Sequence, residues 1–178
     1  PTLVFDGIND FMSGTDWWLT EIGSGAFSVF HVFESSSDFF GISVNSAGAT
    51  GDTPRHYFTA EFMSYNTQGT LGLSGYDNSA VFQEWSHDGV QTLQMRRNGG
   101  AAVSATQAAI EPSGGFYAFP FKSGNVAQPG KSSEHVVVKG SISATDRQNL
   151  EGYLAHKWGL TAKLPANHPY KTTPPAAP

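Results

Sequence analysis

A chain of 178 residues that is 39% hydrophobic and 13% aromatic is long enough to bury one sizeable core. Only 14% of it is charged, with a net charge of -5 and no basic run, which excludes the clustered cations that nucleic acid or an anionic membrane surface requires. The absence of cysteine excludes disulfides, thiolate catalysis and cysteine-ligated zinc, and no stretch approaches the ~18 apolar residues of a membrane span.

Small hydroxyl and amide residues take the surface positions that helical proteins fill with Glu and Lys, so strands and turns are expected throughout. Residues 2–5 predict a first strand, entered directly without a signal-peptide pattern. It closes on Asp6-Gly7-Ile8-Asn9-Asp10. There Asp6, Asn9 and Asp10 gather oxygen ligands, either for calcium or as ordinary turn residues that accept backbone N–H groups. Trp17 and Trp18 follow; neighbours in a strand point to opposite faces, so one of the pair is left outside. In 27–33, Phe27, Val29, His31 and Phe33 share a face opposite Ser28, Phe30 and Val32, and His31 reads as a hydrogen-bonded core histidine. Strands over 39–44 and 57–65 come next. The clearest hairpin spans 81–95 about Asp88-Gly89, with a second turn at Asn98-Gly99-Gly100, since both pairs tolerate positive φ. Further strands are predicted at 115–122 and 134–139. Tyr76 beside Asp77 and Asn78, with Trp85, Trp17 and Trp18, forms an aromatic set suited to stacking a sugar ring and bonding its hydroxyls.

One helix is predicted over 144–158. Ser143 caps it, with Asp146 in the place of a capping-box Glu. Leu150, Leu154 and Trp158, with Tyr153 beside them, form its apolar stripe. Gly152 and His156 fall on the solvent side, and Gly159 ends the helix in the left-handed conformation, with Leu160 folding back onto Leu154. Together these elements predict an all-β antiparallel sandwich over 1–171, including the lid helix, and a proline-rich tail over 172–178.

The segment 143–170, SATDRQNLEGYLAHKWGLTAKLPANHPY, resembles the closing segment of concanavalin A-like lectin/glucanase (LamG-like) domains. The opening PTLVFDGINDFM and the Asp88-Gly89 and Arg97-Asn98-Gly99 turns resemble the family more loosely. The resemblance implies a jelly roll of the kind carried by phage virion proteins and bacterial adhesins. Within it Leu150, Tyr153, Leu154, Trp158, Gly159, His168 and Tyr170 are structural, with His168 either a strap residue or a ligand or acid-base group. Family members usually carry sequence ahead of the PTLVFDG-like strand, so the chain is expected to be a fragment or a minimal version.

Glucanases on this fold are similar to one another in an alternating E-x-D-x-E motif, whose period of two puts acid and nucleophile on one face. Here the close acidic pairs are Asp6/Asp10 and Asp146/Glu151, neither of them alternating on a strand. Ser86-His87-Asp88 contains triad residue types, but strand neighbours diverge. The expectation is therefore a recognition module without catalysis, extracellular or on a cell surface or virion. It would bind a glycan or a protein surface, with no cofactor required and calcium as a candidate. A structural virion protein whose partner is its own assembly is the alternative, and a glycoside hydrolase is disfavoured.

Overall fold

The computed structural model describes residues 1–6, 8, 12–14, 22–23, 25–36, 41–45, 56–59, 62–65, 70–106, 116–119 and 129–176. Its strands are β1 (Leu3–Phe5), β2 (Met12–Gly14), β3 (Phe27–Glu34), β4 (Gly41–Asn45), β5 (His56–Thr59), β6 (Phe62–Tyr65), β7 (Thr70–Gly72), β8 (Val81–His87), β9 (Thr92–Arg97), β10 (Val103–Thr106), β11 (Phe116–Phe119) and β12 (Gly130–Lys139). A helix, α1 (Ala144–Lys157), and a 3-10 turn (Thr161–Lys163) follow. The strands form two six-stranded sheets, ordered β1-β12-β3-β8-β9-β10 and β2-β11-β4-β5-β6-β7. Every neighbouring pair is antiparallel. This is the expected all-β sandwich with a C-terminal helix. No helix among the described residues is long and apolar enough to cross a membrane.

The first sheet is covered on both faces. Inward, Phe27, Val29 and Phe33 of β3 pack with Val81 and Trp85 of β8 and with Leu93 and Met95 of β9. Outward, Phe30, Val32 and Phe82 lie under Leu154 and Ala155 of α1 and under Leu160 and Leu164 beyond it. Double coverage is why β3 reads as a nearly continuous apolar run, and each large side chain so buried contributes roughly 1.5–3 kcal/mol. The sheets are tied through one carbonyl: Thr59 O accepts from Gln83 Nε2 at 2.8 Å and from the Trp85 indole at 3.1 Å.

The Asp88 turn differs from a two-residue hairpin. Strand pairing stops at His87↔Leu93, and Asp88 Oδ1 accepts from Val90, Gln91 and Thr92 N–H at 2.8–2.9 Å. One carboxylate thus organises a four-residue loop, with Gly89 at φ 79°. The 57–65 prediction is also corrected, because β5 and β6 are two antiparallel strands paired in a register that sets position 58 opposite position 63. An alternating run does not reveal a tight reversal inside it.

α1 begins where expected. Ser143 Oγ accepts from Asp146 N at 3.1 Å and donates to Asp146 Oδ2 at 2.7 Å. It ends one residue early, with Leu160 N donating to Ala155 O at 2.7 Å across Gly159 at φ 70°. Its faces are not as predicted. Tyr153 is 40% exposed, whereas Gly152 is buried against Tyr170 and His156 Nε2 contacts Tyr170 O at 2.9 Å. The 164–171 strap crosses the side predicted to face solvent. A carboxylate on the outer face of β12 clamps the opposite side, for Glu134 accepts from Trp158 Nε1 at 2.6 Å, Lys157 Nζ at 3.0 Å and Tyr153 OH at 3.0 Å.

Candidate functional site

Period-two alternation decides which side chains leave the core. On β8, Gln83, Trp85 and His87 point inward, so Glu84 and Ser86 point outward. Antiparallel register sets Glu84 opposite Arg96 and Ser86 opposite Gln94, and Ser28 of β3 faces Ser86. The first turn of α1 borders this polar strip. The result is a cleft of about 400 Å³ lined by Ser28, Glu84, Ser86, Gln94, Arg96, Ile142 and Arg147, with Asp88 and Thr92 among its other residues.

Glu84 is only 2% exposed. Its Oε2 accepts from Arg96 Nη1 at 3.1 Å, and its Oε1 has a 3.5 Å contact from Ser28 Oγ. Burial pushes the carboxyl above the usual range, against the pull of the Arg96 and Arg147 guanidiniums. A buried carboxylate with a raised pKa in a cleft is a signature of functional sites. Arg96 Nη2 donates to Gln94 Oε1 at 3.1 Å. Arg147 Nη1 donates to Glu151 Oε1 at 2.6 Å. Glu151 is buried and its Oε2 lies 3.1 Å from His168 Nε2. Because His168 Nδ1 accepts from Tyr170 N at 3.2 Å, the ring proton sits on Nε2 and is donated to Glu151. The cleft wall is thus braced from behind by a buried Arg147–Glu151–His168 chain.

The residues singled out from sequence lie elsewhere. Trp85 is fully buried between the sheets, which corrects its assignment as a platform: no face of it reaches a ligand. Tyr76 is committed, because its hydroxyl accepts from Ser35 N at 2.7 Å, its ring packs on Phe33, and Arg97 lies 5.3 Å over its centroid. Asp77 Oδ1 accepts from Ser79 N at 3.1 Å, an ordinary local turn, and Lys163 Nζ approaches it at 3.7 Å. Asn78, at φ 61°, lines a smaller cleft of about 270 Å³ with Glu34 and Lys131. Trp17, Trp18, Asn9 and Asp10 lie outside the described residues. Asp6 Oδ1 accepts from Ile8 N at 2.7 Å, a local turn contact. Among the described residues no three His, Asp or Glu side chains cluster closely enough to hold a metal ion. Sequence reasoning missed Glu84, Arg96 and Arg147, yet the signal was there: once the hairpin register is set, Glu84 and Arg96 fall opposite one another on the outer face.

No protein-family model matches the chain, and no curated protein matches it. Solved structures do. A Trypanosoma rangeli sialidase in complex with 2,3-difluorosialic acid, described as a covalent intermediate, superposes with a TM-score of 0.65 at 9% identity, covering 87% of this chain and 27% of that one. The CBM40 of Ruminococcus gnavus IT-sialidase, bound to alpha2,3 sialyllactose, gives a TM-score of 0.56 at 13% identity over 81% of this chain and 95% of that one. The binding domain of Botulinum neurotoxin DC, in complex with rat synaptotagmin II, gives 0.57 at 11% identity over 86% and 42%. At such identities the likeness shows the fold, a lectin-like β-sandwich; the chain spans about a quarter of the sialidase. One expectation is corrected by these structures. The absence of alternating carboxylates predicts a module without catalysis, but similar sandwiches occur within sialidase chains, so a missing motif of one glucanase type does not decide against catalysis.

Proposed function

We propose that the chain is a glycan-recognition module of the LamG-like kind, displayed on a cell surface or virion, and that its sugar occupies the cleft between the first sheet and α1. The observation that carries this reading is the buried Glu84 aimed into a cleft of about 400 Å³, within the ~300–1,000 Å³ of small-ligand sites. Ser28, Ser86 and Gln94 supply further hydroxyl and amide groups, and Ile142 an apolar wall, which together suit a polyol with one less polar face. A CBM40 of similar fold bound to sialyllactose supports the choice of ligand class. A glycan array probed with and without EDTA, followed by calorimetry on the best hit, tests the reading. Glu84→Gln should weaken binding at least tenfold without lowering the melting temperature. Failure on every glycan, or binding indifferent to that substitution, overturns it.

A protein partner is the second reading, supported by a toxin domain of similar fold bound to synaptotagmin and by Leu3 and Val4, 53% and 67% exposed on edge strand β1. Light scattering separates this reading where the partner is a second copy: a stable oligomer dissociated by Val4→Lys favours it.

A further inference from the structure

Resting on the glycan reading above, we propose that the cleft selects a sugar bearing a carboxylate, which Arg147 receives on its free edge while Glu84 Oε1 accepts a hydroxyl of the same ring. Arg147 projects from the first turn of α1 and spends only Nη1 on Glu151. Among the described residues its Nε and Nη2 meet no acceptor, and this edge is the planar fork that matches a carboxylate with two parallel hydrogen bonds. The guanidinium is largely but not wholly covered, at 17% side-chain exposure, so an incoming anion meets it with little competing water.

The carboxylates near this spot are each engaged by donors of the protein, which limits their repulsion of an incoming anion. Backbone N–H groups of the first turn of a 14-residue helix add positive potential beside Arg147. Of the carboxylates facing the cleft, Glu84 is neutralised through Oε2 by Arg96, and Asp88 has Oδ1 occupied by three backbone N–H groups. Asp146 turns back onto the Ser143 cap, and Glu151 pairs with Arg147 and His168 from behind the wall. Glu84 Oε1, which among the described residues has only a 3.5 Å contact from Ser28, is a buried acceptor that a ligand hydroxyl would satisfy. Donor fork and acceptor lie on opposite walls, α1 and β8, so a single ring bearing an acid and a hydroxyl can bridge them.

The test is calorimetry on the full chain with two matched pairs of probes: sialyllactose against lactose, and trigalacturonate against its methyl ester. In at least one pair the acid should bind ten times more tightly or better, and that preference should shrink as salt rises from 50 to 500 mM. Arg147→Gln should abolish the preference and Arg147→Lys should retain only part of it, because a point charge cannot replace the fork. Glu84→Gln, which leaves α1 untouched, should weaken acid and neutral members alike. Equal affinities within both pairs, no binding to any of the four probes, or an acid preference that survives Arg147→Gln overturns the proposal. Tight neutral-sugar binding that Glu84→Gln weakens would leave the glycan reading standing, whereas silence across an entire array would remove both.

Discussion

Gly152 carries no side chain because the Tyr170 ring occupies the place where one would go. A Cβ there would lie 2.6 Å from Tyr170 Cβ and 2.8 Å from Cγ, closer than atoms can approach without movement. In an exposed helix, Gly→Ala adds roughly 1 kcal/mol of stability. Here overpacking outweighs that gain, and Gly152→Ala should destabilise the protein by about 1–3 kcal/mol, seen as a lower urea midpoint with an unchanged m-value. Helical spacing in the sequence put Gly152 on the solvent side, since a glycine gives no hydrophobic signal of its own. What covers it is a segment nearly twenty residues later, and local periodicity does not report that partner.

At the scale of elements, α1 is fastened by more than its leucines. Arg147 and His168 converge on Glu151, a helix residue 1% exposed. Glu151→Ala would leave both partners without their shared acceptor, and breaking a buried charged pair by removing one member costs about 3–5 kcal/mol. Glu151→Gln keeps the shape and one acceptor and should cost distinctly less; thermal unfolding of the two variants checks the order. The capping box at Ser143, the glycine stop and the central strands were legible because each rests on local chemistry: a side chain reaching three residues on, a positive φ, an apolar run. The β5–β6 reversal and the strap over α1 were not, since both depend on what lies across space from the residues concerned. The candidate cleft falls between these cases. Its residues alternate visibly on β8 and β9, but only the pairing of Glu84 with Arg96 and the arrival of Arg147 from α1 turn a polar strand face into a site.

For the whole molecule, the most consequential placement is a pair of facing histidines on the first sheet, His31 buried and His135 partly so. β12 carries an irregularity between Ser132 and Glu134, after which His135 pairs with His31, and their rings stack at 3.8 Å. His31 Nε2 also lies 3.0 Å from Ser132 Oγ. Burial, with the neighbouring His135 adding to it, holds His31 well below its ordinary pKa, and burial brings His135 down to about 4. In the unfolded chain both return to about 6.5. Below that pH the unfolded state binds more protons than the folded one, so stability falls as pH drops from about 6.5 towards 4, and it is insensitive to these groups above 6.5. His135 alone accounts for up to about 3 kcal/mol of that loss. Glu84, whose carboxyl is raised by burial, acts in the opposite sense, gaining stability as it protonates, whereas Glu134 and Asp88, held below their usual range by hydrogen bonds that outweigh desolvation, add to the loss at the acid end. Urea midpoints measured between pH 7.5 and 4.5 should therefore decline in the parent. His135→Phe, which preserves a stacking ring without a titratable nitrogen, should flatten that decline. An equally steep decline in the variant would mean that the acid sensitivity arises elsewhere than at His135, from His31 or from groups outside the pair.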